Sequence, residues 1–294
     1  MMIGRRSYNV FIIMSTKLIF LVAAASLAQG DNDGYICSRA TYYGSPDCIG
    51  NPYGACGYGE YGRTVYNGEV SGVSRLYKNG SGCGACYQVR CKIPTHCSEE
   101  GTKIVVTDYG EGHETDFILS ARAYSNLALP NLAPQLLAYG VIDVEYKRVP
   151  CTYASNLVIK VHHHSHFPTY FAILPIYQAG TYDITDVQLW LVCTSLNSLP
   201  VMLDAVSNLV ITFDFKRDFD HFVEYCKEWR GMRRVYGTVW DMENPPIGMP
   251  INMRFQLVSG GAANANAEVK WLQIANVIPT DWKAGVAYDT GFQL

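Results

Sequence analysis

The sequence predicts a mainly β protein of two modest domains, a barrel followed by a sandwich. Three observations lead there. Short segments that alternate apolar and polar residues recur along the chain, separated by Gly, Pro and Asn turns. Only one segment reads as a helix. The length left after an apolar leader suits two domains. Around Gly82-Cys83-Gly84-Ala85-Cys86-Tyr87-Gln88-Val89-Arg90-Cys91, three cysteines fall within nine residues and Cys97 follows closely. Such a cluster fits either a zinc site or a disulfide framework.

The N-terminus decides between them. Arg5, Arg6 and Lys17 precede or border an apolar run over residues 18–27, and Ser26 and Ala28 stand at the small-residue positions of a cleavage site. Residues 1–28 therefore read as a secretory signal peptide, too short and wrongly flanked for a membrane span. Secretion favours disulfides over zinc. No later stretch is long and apolar enough to span a bilayer, so no membrane partner is expected. Without Arg5, Arg6 and Lys17 the chain carries 20 basic against 26 acidic residues, a net charge of −6. That balance argues against nucleic acid as a partner and gives no electrostatic pull toward acidic polymers. With 21 tyrosines and 5 tryptophans, aromatic surfaces are the better binding device.

In chain order, Thr41-Tyr42-Tyr43-Gly44 opens the first domain and a Gly/Pro/Asn-rich loop, 44–62, follows. Strands are predicted over 87–91, 103–107, 116–119 and 141–149. The last places Ile142, Val144 and Tyr146 on one face and Asp143, Glu145 and Lys147 on the other. The one helix spans 121–127, capped by Ser120 and stopped before Pro130. Beyond Pro150-Cys151-Thr152, strands are predicted over 157–161, 170–177, 251–257 and 269–277. Pro175 lacks a ladder donor, which places its strand at an edge or interrupts it. His162, His163, His164 and His166 read as a solvated strand end, so no metal is expected. Trp190, Trp240 and Trp271, set among apolar residues, are assigned to the core. Asn79-Gly80-Ser81 is a glycosylation sequon on a turn.

Several of these motifs together resemble the expansin superfamily. They are 41–44, Gly54-Ala55-Cys56-Gly57, 82–87, Val106-Thr107-Asp108, 144–151, Asp241-Met242, 276–279 and 281–283. Tyr109-Gly110-Glu111-Gly112 and 226–234 resemble in particular its expansin-like B branch. The resemblance implies a double-psi β-barrel like that of family-45 endoglucanases, over 37–152. A linker and first strand follow at 153–167, and an immunoglobulin-like β-sandwich that binds carbohydrate occupies 168–289. It implies disulfides Cys56–Cys83, Cys86–Cys151 and Cys91–Cys97; Cys37 and Cys48, left over, are expected to pair with each other. A secreted, monomeric cell-wall protein is implied, with no cofactor. Its partner would be cellulose, xyloglucan or another matrix glycan.

The related hydrolases cut with an acid and a base about 6.5–9.5 Å apart. By motif the base position is Gly44 here and the acid position is Ile118, in Asp116-Phe117-Ile118-Leu119-Ser120. No catalytic residue is assigned, and Asp116 remains a weak candidate. The resemblance places Thr41, Tyr43 and Asp108 in a glycan groove and Tyr170, Trp229 and Tyr236 on an aromatic sugar platform. Three functions fit: non-hydrolytic wall loosening, glycan binding without loosening, and residual glycosidase activity through Asp108 and Asp116. In relatives only a few residues separate the counterparts of Trp190 and Cys226, whereas here 35 intervene. This insertion, 191–225, is apolar and long for a loop in a compact domain. It reads as translated intron sequence, the alternative being a genuine insertion that forms a lid over the sugar platform.

Overall fold

The computed structural model describes residues 34–112, 115–192, 227–260 and 267–294. The expected signal peptide, 1–28, and the 191–225 block beyond Val192 lie outside them. Six strands form the first module: β1 (Ile36–Tyr43), β2 (Val70–Val73), β3 (Cys86–Cys91), β4 (Thr102–Tyr109), β5 (Phe117–Ser120) and β6 (Ile142–Val149). They close into a barrel in the order β1-β5-β2-β4-β3-β6. β1 runs parallel to β5 and β2 parallel to β4, while the other neighbours are antiparallel.

Alternation sets the barrel's interior. In β6, Ile142, Val144 and Tyr146 are buried, as their spacing predicts. Tyr146 meets Phe117 at 4.9 Å and Tyr87 at 5.8 Å between ring centroids, edge to face, so three rings from three strands fill the barrel. The predicted helix is α2 (Ala121–Ser125), following α1 (Glu60–Thr64); Ser120 Oγ accepts from the Ala123 N–H at 3.1 Å. Among the described residues, two further α-helical turns escaped the sequence reading, besides 3₁₀ turns at Val65–Gly68 and Arg75–Gly80. One is α1, within the glycine-rich loop. The other is α3 (Ala133–Leu137), whose Pro134 sits in the first turn, where no donor is needed.

Among the described residues three disulfides brace the barrel: Cys56–Cys83, Cys86–Cys151 and Cys91–Cys97. The expected fourth is absent, for Cys37 and Cys48 are both free and exposed. Cys37 lies near the start of β1, and Cys48 follows the strand's end. Six residues of extended strand carry the chain roughly 20 Å from Cys37 to Tyr43, so a bridge would need the short loop after β1 to run back along the whole strand.

The second module is a sandwich. Its strands are β7 (Val158–Val161), β8 (Tyr170–Ile176), β9 (Tyr182–Leu191), β10 (Glu228–Gly231), β11 (Arg233–Tyr236), β12 (Val239–Glu243), β13 (Ile251–Ser259), β14 (Val269–Ile278) and β15 (Ala287–Asp289). One sheet has the order β10-β9-β13-β14 and the other β11-β12-β8-β7-β15. Between them Phe171, Ile173, Val187, Leu189, Met253, Phe255, Trp240 and Trp282 form the core. Pro175 does not put β8 at an edge; the strand is the middle of five. β12 pairs only with Tyr170–Ile173 of it, however, so Pro175 lies past the end of β12, where no donor is required on that side.

Barrel and sandwich belong to one compact unit, Ile36–Leu294. Leu174, Ile176 and Val239 leave the sandwich's outer face to join the barrel's core. Around them the Gln178 amide donates to Tyr58 Oη at 2.9 Å, and the Tyr177 N–H donates to Tyr61 Oη at 3.1 Å. Cys151 and Gly180 exchange both backbone hydrogen bonds. Arg148 of β6 pairs with Asp183 of β9 at 3.0 Å, and both side chains are buried.

Candidate functional site: a barrel hollow continued by a tyrosine face

The barrel carries an open hollow of about 520 Å³, lined among others by Tyr43, Gly44, Asn51, Asp108, Tyr109 and Ile118. Tyr43 ends β1, Asp108 nearly ends β4, and Ile118 comes from β5. Register brings them together: Ile118 stands opposite Gly72 of β2, and Gly72 opposite Asp108, so β5, β2 and β4 line the hollow side by side, with Tyr43 of β1 joining beyond β5. Asp108 accepts from the backbone N–H of Ala55 at 2.6 Å and of Tyr109 at 2.8 Å, and weakly from the Asn51 amide at 3.4 Å. Burial raises its carboxyl above the ordinary carboxylate range, although those neutral donors pull the other way. Burial and the charge of Asp108 push the Tyr43 hydroxyl up as well, so it stays protonated and able to donate. A carboxylate acceptor and a phenol donor thus face one cavity, a pattern suited to hydroxyl-rich ligands.

Two sequence-predicted residues fall elsewhere. Thr41 does not line the hollow; it stands beside Ile118 in register and its hydroxyl donates to Gly140 O at 2.9 Å. Asp116 sits in a different recess with Ser38, Ser74 and Arg75. The Arg75 guanidinium, with Nε 2.8 Å from Oδ1, holds this carboxyl below its usual range. Asp116 is already occupied by an ion pair and lines a recess other than the one that Ile118 lines.

The hollow continues toward the sandwich through one stretch of backbone. Ala55, whose N–H binds Asp108, gives its carbonyl to Tyr77 Oη at 3.1 Å. Tyr77 packs on Tyr109 at 5.2 Å. Gly237 sits on Ala55 and Cys56 so closely that a Cβ there would lie 2.4 Å from Ala55 O. Its neighbour Tyr236, 46% exposed, packs over Gly57. One strand further, Tyr170 Oη donates to Asp241 Oδ2 at 2.9 Å, and Arg233 grips the same carboxylate at 3.0 and 2.7 Å. Arg233 holds Asp241 below its usual range. Tyr170 and Tyr236 therefore share one sheet face with an ordered Arg–Asp pair.

Trp229 is not part of that face, which corrects the expected three-residue platform. It belongs to β10, in the opposite sheet, where it pairs in register with Trp190 at 5.3 Å between rings. The cause is a strand switch. After Gly231 the chain turns inward at buried Met232, whose N–H binds Val187 O at 2.8 Å, and emerges as β11 in the other sheet. The core assignment of the tryptophans also needs correction. Trp240 is buried, but Trp190 is only half-buried and Trp271 is 40% exposed. Arg254 lies over the rings of both Trp229 and Trp271, at 4.7 and 4.5 Å. Arg233, Asp241, Tyr77 and Tyr109 were missed as site residues. The hairpin implied by Tyr236-Gly237 between alternating runs places Arg233 opposite Asp241 and was the available signal.

A double-psi barrel packed on a two-sheet sandwich, with an open hollow running into a tyrosine face, defines the class. The chain belongs to the expansin family. Residues 69–146 match the family described as lytic transglycolase, and residues 214–279 match the expansin C-terminal domain. The particular likeness is to Expansin-like B1 of Arabidopsis thaliana, 48% identical over 97% of this chain and 98% of that protein. Expansin-like B1 of Oryza sativa subsp. japonica is 37% identical over 94% of each. Among solved structures, the apo expansin of Clavibacter michiganensis superposes with a TM-score of 0.55 at 16% identity, covering 88% of this chain and 97% of that one. A mutant of that expansin, in complex with cellohexaose, gives 0.56.

Proposed function

We propose that this protein is secreted to the cell wall, binds cellulose or a matrix glycan such as xyloglucan along the hollow and the tyrosine face, and loosens polymer contacts without cutting them. The observation that carries this reading is the lining of the hollow. Gly44 and Ile118, the motif positions of base and acid, both line it and neither can transfer a proton. Of the hollow's acids, Asp47 is engaged by Arg63 at the rim and Asp108 is held by backbone donors. Inverting hydrolysis needs two free carboxyls across the scissile bond. The signal peptide and a glycan on exposed Asn79 belong to the same reading.

The test has two arms. Extension of heat-killed wall strips under load should increase with the protein, while cellulose, xyloglucan and mixed-linkage glucan release no reducing ends above a blank. Release abolished by Asp108→Asn would instead make it a glycosidase. Retention without extension would make it a binding protein only, a reading that the loss of the acid at Ile118 also supports. Stacking on the tyrosine face predicts that Tyr236→Ala costs on the order of 1 kcal/mol in cellohexaose affinity. Trp229→Ala, on the other sheet, should leave that affinity unchanged in the same titration.

A further inference from the structure

Where β7 ends, the chain makes a tight turn, with the Ser165 N–H bonded to His162 O at 2.9 Å. Its first three residues are histidines, and their rings converge. His162 stacks on His163 at 4.3 Å; His164 stands 4.9 Å from His162 and 4.1 Å from His163 between centroids. One ring nitrogen from each lies within 4.8 Å of the other two. His162 is buried, whereas His163 and His164 are exposed. The His164 backbone N–H reaches His162 Nδ1 at 3.3 Å, which leaves His162 Nε2 as the free nitrogen. The turn is clamped to β8. Ala172 O accepts from the His162 N–H at 2.7 Å, and Ala172 exchanges two further bonds with Ser165 Oγ at 3.0 Å.

Three imidazoles gathered this closely, on a turn fixed by four backbone-anchored bonds, have no structural task that we can name. Their ring contacts are with one another. Three neutral imidazoles are a ligand set for late first-row divalent ions, and solvent can complete the shell. In a tetrahedral zinc site the ligand nitrogens stand about 3.3 Å apart, given metal–nitrogen bonds of about 2.0–2.1 Å. The nitrogens stand within 4.8 Å of one another, and two of the three rings are exposed and can move to close on an ion.

We propose that His162, His163 and His164 form a surface site for one divalent ion of this class, taking Cu²⁺ more tightly than Zn²⁺, as the order of affinities for nitrogen ligands dictates. The site lies at the root of the β7–β8 connection. That connection ends where His166 and Tyr170 exchange backbone bonds at 2.8 and 2.9 Å, so the ion would sit in the loop that delivers Tyr170.

The test is calorimetric titration of the tag-free, full-length secreted protein with Cu²⁺ alone and with Zn²⁺ alone. One equivalent of each should bind, and His163→Ala/His164→Ala should weaken Cu²⁺ binding at least tenfold without moving the melting temperature of the metal-free protein. Because Cys37 and Cys48 are exposed thiols, Cys37→Ser/Cys48→Ser is run in parallel and should keep the site. Electron paramagnetic resonance of the copper form should show coupling to imidazole nitrogens that the double histidine variant loses. No binding, binding unaffected by the histidine substitutions, or binding lost with the two cysteines would each overturn the proposal.

Discussion

Asp108 is the residue on which the hollow's chemistry turns. Its oxygens are fixed by backbone N–H groups and by Asn51, so the carboxylate is aimed before any ligand arrives. Asp108→Asn keeps the shape but removes the charge, and should weaken cellohexaose binding by roughly 1.5 kcal/mol, the lower end for a charged hydrogen bond. A binding isotherm checks this. Asp116 and Asp241 carry a different prediction. Their arginines lower both carboxyl groups in the folded protein. The stability they contribute is present above the unfolded value near 4 and is lost as pH falls through the lowered folded values. Urea unfolding measured stepwise below pH 5 should show that decline, and Asp116→Asn/Asp241→Asn should flatten it. Tyr43 and Asp108, singled out by their motifs, both line the hollow, whereas the partners that hold Asp116 apart from it carry no local signal. Arg75 is far from Asp116 in sequence, and only the barrel's closure brings them together.

At the scale of elements, the bridges and the strand switch matter most. Cys86–Cys151 spans 65 residues and Cys91–Cys97 only 6. Loop-closure entropy gives about 4 kcal/mol for the first and about 2 kcal/mol for the second. Cys86→Ala/Cys151→Ala should therefore lower the unfolding midpoint distinctly more than Cys91→Ala/Cys97→Ala in denaturant titrations. Equal losses would mean that native packing, not loop length, sets the effect. The strands themselves were legible wherever alternation was clean, as in β6, β7 and β13. What alternation cannot say is which sheet a strand joins. Trp229 and Tyr236 are seven residues apart, and each looks exposed in its own setting. The single buried residue Met232 sends them to opposite sides of the sandwich. The same limit placed Trp271 in the core, because a face open to water and a face under a second sheet can carry similar residues.

The whole molecule depends on the seam between barrel and sandwich. Arg148 and Asp183 meet there out of water, and removing one charge strands the other, at a typical cost of roughly 3–5 kcal/mol. Asp183→Asn should lower the melting temperature accordingly. Gly237→Ala tests the seam differently. Its φ of 47° disfavours a side chain, and the added carbon would press on the Ala55 carbonyl. A loss of about 2 kcal/mol or more is expected, together with weaker cellohexaose binding, since the hollow and Tyr236 would be pushed apart. Two modules were legible from length and motifs, but the seam was not, for the glycines, carbonyls, tyrosines, aliphatic residues and buried ion pair that form it are scattered along the chain and share no local pattern. Its consequence is mechanical. Two binding modules on a flexible tether gain only through the effective concentration one lends the other. Here the first module's backbone is packed directly onto the second's, so a polymer lying on both would be splinted: only a stretch straight enough to match the fixed spacing could occupy both grips, and tension at one end would reach the other with no joint to absorb it.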